Sequence, residues 1–585
     1  SVLENIKESV HLEIDGLQNE PGAYQVKLEG LAQVELNSEN TGELLGRGDI
    51  SQFAFEGKQD QLVNIVYASN KVSGRIYLNV FDPEGNRMYR DRSEVFDETD
   101  VRSLPSDGIY KIVISGVDTN SKGEFQLALA TIEEPEIITL ESPYTTREGE
   151  IENMAKKYYY QFEANAMERI LAGFYTTDNL AGNYKMVKNE DGKPFYQGQR
   201  ITDMRTTLYN TSAQVAQTSP FVLSDAGTYT IEVESGFLYN LKKGTYQIYL
   251  GNPEITSITL NSETDNELAK NLDRYRDFDS YQFSGNAGDL INPLYLSEIN
   301  GRIYLDVFDS EGNQIRSERG EKVVEESVPY KLPADDTYTI IIWSVDNNSY
   351  GDYTLGLASI EEPEAVTLTT PFLEISEEIT QIGDKNYYKF NASENDRLRM
   401  GLLTSNGLLA NAQIGRPDDK PFYEKNRQVD INSGRLSGIF DLAPDEYIIE
   451  VDPVGLGAGN YKGAYRIYVA RPEVESAAFN QVIERNFAKD LGAFLQYDLF
   501  TIEGASGESI NIDFRWKEYK SVFGPRVYIR VYAPDESIVY NKRFGVNDNF
   551  VNTGNINLSQ DGTYRIELQP VDSGSVGDYE FRVNK

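Results

Sequence analysis

Carboxylates and side-chain amides gather at two kinds of place in this sequence, and hard cations are the chemistry that such oxygens serve. Two IEEPE stretches, 132–136 and 360–364, supply Glu133, Glu134 and Glu136 and then Glu361, Glu362 and Glu364. Two polar loops supply Asp118 and Asn120, then Asp346, Asn347 and Asn348. Calcium takes about six to eight oxygens from carboxylates, amides and carbonyls, so these residues are the candidate calcium ligands. The plainer reading of the same residues is solvated linker charge and Asx turns.

Other chemistry has little to work with. His11 is the only histidine, on the outward alternate position of a strand, and a general base there needs an oriented nucleophile beside it. The chain has no cysteine, which removes disulfides, thiol catalysis and cysteine metal sites together. No Gly-rich loop follows a strand and opens a helix, so no phosphate cradle is expected. Among 93 acidic residues no pair stands out as the two carboxylates of a glycosidase. The RGD at 47–49 reads as the turn before an aromatic strand, matched by Gly383 and Asp384 in IGDKNYYKF. Asn210, Asn347, Asn391 and Asn557 begin glycosylation sequons, which matter only in a glycosylating host. No catalytic residue is assigned, and an enzyme is not expected.

The elements that position these residues recur. YTIIIWSVDNNSYGDYTLGL (338–357) reads as a strand, a polar loop and a second strand. Tyr338, Ile340 and Ile342 share one face at period two, as do Tyr353, Leu355 and Leu357. The same pattern returns from Tyr110 to Phe125, Tyr229 to Tyr246, Tyr447 to Tyr465 and Tyr564 to Tyr579. Five ordered copies make a tandem array. The sequence predicts an all-β chain of units 31–133, 134–252, 253–362, 363–471 and 472–585, preceded by a partial unit, 1–30, read as a closing hairpin. Prolines in IEEPE, GNPE and ARPE mark the linkers.

The units are of two alternating types. SGRIYLNVFDPEGN (73–86) returns as NGRIYLDVFDSEGN (300–313) and, more faintly, as GPRVYIRVYAPDES (524–537). KPFY occurs at 193–196 and 420–423, in the other two units. The interval from core tyrosine to closing aromatic is 15 residues in the first, third and fifth units, against 17 and 18 in the second and fourth.

These motifs, from the aromatic strand through R-x-Y-L to G-x-Y-x-L, resemble the bacterial pre-peptidase C-terminal domain family, related to the collagen-binding domains of clostridial collagenases. The resemblance implies jelly-roll-like β-sandwiches, secretion, and calcium where a linker meets a sandwich. The net charge of −38 disfavours nucleic acid and anionic membranes as partners, and no apolar run is long enough to span a bilayer. The expectation is an extracellular or cell-surface, non-enzymatic structural or adhesive protein. It would be a self-associating subunit of a bacterial surface filament or layer, with three outcomes open for residues 1–30: completion by strand addition from a neighbour, folding back on the first unit, or loss of the rest of their domain. The alternative is an array of binding modules for a matrix protein or polysaccharide. An aromatic row exposed on one sheet of one unit type would favour the latter.

Overall fold

The computed structural model describes residues 31–585 except 178–179, 207–212, 237–242, 272–274, 322–327, 347–348, 395, 454–460, 520–523, 546–550 and 573. His11 and the expected hairpin in 1–30 lie outside the described residues. Contacts divide the chain into two compact parts, Ser1–Asn252 and Pro253–Lys585. Among the described residues there is no α-helix, and one short 3-10 turn, Phe422–Glu424, lies in the second KPFY motif.

Each of five repeats is built from two principal sheets. In the third, one sheet runs in the order Ile255–Ser257, Phe278–Gly285, Asp336–Ser344, Ile303–Phe308, Gln314–Gly320. The other runs Ser262–Leu268, Gly351–Ser359, Leu290–Ser297, Tyr330–Lys331. The other four repeats keep these orders, each beginning its first sheet with a short strand laid parallel to the aromatic strand. The two sheets share one apolar cluster. In the third repeat it contains Tyr338, Ile340 and Ile342 from one sheet and Tyr353, Leu355 and Leu357 from the other.

That sharing corrects the hairpin reading of the recurring motif. Asp336–Ser344 pairs with Phe278–Gly285 and Ile303–Phe308, whereas Gly351–Ser359 pairs with Ser262–Leu268 and Leu290–Ser297. The two strands face each other across the core, and the polar loop between them is an arch from sheet to sheet. Tight hairpins need only two to about five loop residues. The longer loops span the roughly 10 Å that separates packed sheets. The glycine that opens the second strand has a steric reason: at Gly123 (φ +133°) a Cβ would lie 2.6 Å from the Lys71 carbonyl oxygen.

The core tyrosines are the most constrained side chains. Tyr110, Tyr229, Tyr338, Tyr447 and Tyr564 are at most 3 % exposed. The hydroxyl donates back to the carbonyl four residues earlier, Tyr110 to Ser106 and Tyr338 to Ala334, both at 2.7 Å. Tyr229 and Tyr564 do the same to Asp225 and Gln560, at 2.7 and 3.0 Å. Each ring also stacks on the aromatic strand where that strand offers a ring, as Phe283 does to Tyr338 at 5.5 Å. The ring therefore fills the core while its hydroxyl pins the entering loop, the division of labour of a tyrosine corner.

Replacing Tyr338 by Phe removes only the pin and is expected to cost about 1 kcal/mol. Tyr338→Ala also opens a cavity and is expected to cost about 3–5 kcal/mol. Denaturant unfolding of the two variants separates the terms; a Tyr338→Phe variant as stable as the parent would refute the pin.

Candidate functional site at the junctions between repeats

The charge-bearing site lies where one repeat meets the next inside each compact part. Outward positions of the aromatic strand, the core-tyrosine strand and the KPFY turn lie against the outer face of the preceding repeat's second sheet. The first junction joins repeats one and two. Met154 and Ala155, from the turn before the aromatic strand, pack with Val66, Ala128 and Ala130. Asn153 Nδ2 donates to the Leu129 carbonyl at 3.1 Å, and the Met154 amide donates to Glu39 Oε1 at 2.9 Å.

At its centre Lys157 Nζ is ringed by carboxylates: Glu234 at 2.6 Å, Glu98 at 3.1 Å and Glu232 at 3.6 Å. Glu98 belongs to the first repeat and also accepts from Asn64 Nδ2 at 2.6 Å. Tyr159 donates to Glu232 at 2.9 Å. Burial alone would pull the Lys157 ammonium down, but the three carboxylates hold it above its ordinary value. Burial pushes the Glu98 carboxyl up despite the lysine. Phe195 of the KPFY turn meets the Tyr159 ring edge-on at 4.9 Å and 71°.

The junction of repeats three and four repeats this plan with different charges. Lys385 Nζ lies 2.9 Å from Asp452 and 3.3 Å from Glu450, and Lys425 also pairs with Glu450. Phe422 meets Tyr387 at 4.9 Å and 71°, as in the first junction. Asn292 Nδ2 donates to the Gly383 carbonyl at 2.7 Å, and the Ile382 amide to Glu263 at 2.6 Å. The junction of repeats four and five inverts the direction. Arg397 of the fourth repeat reaches Glu567 of the fifth at 2.8 Å and bonds to the Tyr532 hydroxyl, while Arg530 pairs with the same glutamate. Glu567 is 0 % exposed.

Glu232, Glu450 and Glu567 all stand three residues after the core tyrosine. The first and third repeats have Val113 and Ile341 there. A glutamate on an outward strand position looks solvated in sequence; only the covering repeat makes it a junction residue. The signal was present as TIEV, IIEV and RIEL against KIVI and TIII.

The expected calcium ligands fall into different settings. Asp118 accepts from Arg75 through Nε, Nη2 and the backbone amide, at 2.8, 2.6 and 3.0 Å. Asp346 is held in the same way by Arg302. These hydrogen bonds keep both carboxyls at about 2, well below the usual carboxylate range. Both loop aspartates are thus clamps on the arginine of the R-x-Y motif. Asn120 donates to the Ser73 carbonyl at 2.9 Å, and Asn348 lies outside the described residues. In the first linker Glu133 pairs with Lys156 at 2.9 Å and Glu136 with Arg147 at 2.8 Å, while Glu134 is exposed. In the second, Glu361, Glu362 and Glu364 line a cleft of about 450 Å³ with Glu377, Glu378 and Asp384. Asp384 occupies the position of Lys156, so this cleft lacks the first linker's counter-charge. Among the described residues, no three acidic or histidine side chains converge as a metal ligand set would. In the RGD turn, Asp49 accepts from the Leu45 amide at 2.7 Å, which ties the carboxylate into the turn.

No protein-family model matches the chain, and neither does any curated protein sequence. Among solved structures, the pre-peptidase C-terminal domain of a Bacillus anthracis collagenase is similar at 20 % identity and TM-score 0.15, over 18 % of this chain and 94 % of that one. Aeromonas hydrophila PliG, a periplasmic inhibitor of g-type lysozyme, is similar at 15 % identity and TM-score 0.14, over 17 % and 96 %. The CUB1-EGF-CUB2 domains of rat MASP-1 give 8 % and 0.15, over 56 % and 100 %. At these scores the likenesses carry no argument.

Lys157→Met leaves buried carboxylates facing one another without their central cation. It is expected to cost about 3–5 kcal/mol, read as a lowered thermal midpoint of the full chain. A carboxyl whose folded-state pKa is raised takes up its proton on folding, so its contribution grows as pH falls. Protonation of Glu98 should therefore shrink the loss at mildly acidic pH. A loss that is small, or that grows as pH falls, would refute the cluster's role.

Proposed function

We propose that the chain is an extracellular, non-enzymatic structural or adhesive array of jelly-roll-like β-sandwiches, serving as a component of a bacterial surface filament or layer. One observation carries this reading. At each junction described, ionised side chains are buried where two sandwiches meet, so neighbouring sandwiches are locked and not strung on flexible linkers. Buried pairs are poorly screened by salt, unlike surface pairs. Each compact part then acts as a stiff spacer that presents its outer faces at fixed separation.

Small-angle scattering tests the stiffness. The profile is expected to stay unchanged as salt rises from about 0.1 to about 1 M, while the screening length falls from about 10 to about 3 Å. A profile that broadens toward that of independent beads would overturn the reading, and electron microscopy of native material shows whether the array is polymeric.

Calcium enters the proposal at the second linker alone, where Glu361, Glu362, Glu364, Glu377, Glu378 and Asp384 share a cleft with Lys385 as its cation. The affinity expected is that of weak extracellular sites, about 10⁻⁴–10⁻³ M. Calorimetry should show this binding abolished by Asp384→Asn and untouched by Asp118→Asn; no heat from the unaltered chain would leave these carboxylates as solvated charge. Binding of a matrix polymer is the second reading, favoured by aromatic side chains on one sheet of one sandwich type.

A further inference from the structure

In the first, third and fifth repeats the strand that follows the clamp arginine carries a tyrosine on the outer face of the first sheet. Across the edge strand the register sets an arginine opposite it: Tyr77 with Arg92, Tyr304 with Arg319, and Tyr528 with Arg543. The three arginines are exposed and the three tyrosines half-buried. The second repeat has Asn183 in place of the tyrosine with Arg205 still opposite it, and the fourth has Asn411 opposite Asn432. Further guanidinium groups attend the rings, Arg90 at 4.1 Å from the Tyr77 centroid and Arg530 at 4.7 Å from that of Tyr528.

The charges are unusual for this chain. Most of its arginines are spent on carboxylates, as Arg75, Arg147, Arg302 and Arg526 are. Among the described residues Arg92, Arg319 and Arg543 form no salt bridge, although the Arg92 charge helps to hold the Asp118 carboxyl down. Cations on an edge strand also guard against edge-to-edge pairing. That role asks only for charge. It does not ask for a tyrosine opposite the arginine, a pairing that the first, third and fifth repeats share.

We propose that these Tyr–Arg pairs are binding sites for an acidic polysaccharide. Uronate carboxylates would meet the guanidinium groups, whose planar fork suits them, and the sugar rings would lie across the Tyr–Arg pairs, since the phenol faces already carry guanidinium groups or, at Tyr304, Trp343. The inference rests on the adhesive reading above. Three copies on one chain raise avidity toward a repeating polymer without any new contact. The overall negative charge does not forbid this, because at physiological ionic strength charges beyond about 8 Å are largely screened.

The test titrates the full chain with polygalacturonate by calorimetry, with dextran as the neutral control and collagen as a protein control. EDTA is present so that no divalent cation bridges two acidic polymers. Saturable binding of polygalacturonate and none of dextran is expected. The triple variant Arg92→Glu, Arg319→Glu, Arg543→Glu keeps every edge strand charged and alters only exposed side chains. It should bind at least about tenfold more weakly, the scale of a lost charged hydrogen bond. Its thermal midpoint and scattering profile should be unchanged, which separates failure of this site from failure of the stiff array. Equal binding of dextran, binding of collagen in place of polygalacturonate, no binding, or a triple variant that binds as the parent does would each overturn the proposal.

Discussion

Lys157, Lys385 and Arg397 are cations with almost no access to water, and the arrangement of neighbouring repeats depends on how they are answered. Taking an ion out of water costs several kcal/mol, and only a well-placed counter-charge with further hydrogen bonds offsets it. Such a cluster adds little net stability over a well-packed apolar contact. What it does is penalise every wrong arrangement. A shift of one residue along the aromatic strand would turn Lys157 to the other face of its sheet, since side chains alternate. Glu98, Glu232 and Glu234 would then lose their central cation. The apolar contacts around Ala128 and Ala130 tolerate small slips far better. The buried charges therefore fix which face meets which, while the apolar clusters and the Phe195 and Phe422 contacts supply adhesion.

The two kinds of repeat follow from two local solutions to one problem, how to anchor the arch between the sheets and what to place against a neighbour. In the first, third and fifth repeats the arginine of R-x-Y clamps the arch aspartate, as Arg75 does Asp118. In the second and fourth, the KPFY turn projects a phenylalanine onto the outward tyrosine of the aromatic strand. A repeat of the second kind thus carries its own clasp for the repeat before it. The fifth repeat, of the first kind, has no such turn, and it meets the fourth through Glu567, Arg530 and Tyr532 instead.

Strands, their inward faces and the positions of the core tyrosines were legible in the sequence, because period-two alternation and glycine placement are local signals. Tyr338, Ile340, Ile342, Tyr353, Leu355 and Leu357 all lie in the cluster their spacing predicts. The arch was not legible as an arch. A hairpin and an arch are both strand, polar loop and strand, and only the remote partners of each strand tell them apart. The junctions were hidden for a similar reason. Lys157 and Glu232 look like ordinary outward residues until the first repeat covers them. Asp118 and Asp346 looked like cation ligands because their arginine partners lie more than forty residues away in sequence.

Outward positions on the last strand of a repeat record whether the next repeat lies on it. In the first repeat these positions are Ala128 and Ala130, in the third Gly356 and Ala358, and in the fourth Tyr468 and Ala470. Ala128, Ala130, Ala358, Tyr468 and Ala470 join the clusters formed with the following repeat, and Gly356 leaves room for Ile382 of that repeat. In the fifth repeat the same positions are Arg582 and Asn584. Arg582 pairs with Asp513 at 2.6 Å, and Asn584 Nδ2 donates to Asn511 and Asp513 at 2.9 and 2.7 Å. Arg515 and Lys517 pair with Glu580 beside them. These side chains satisfy one another across the sheet, so a repeat seated there would desolvate paired charges and offer nothing in return. Repeat arrays need a polar outer face where stacking stops, and this face has that character. Stacking another repeat on this face is the arrangement its side chains oppose.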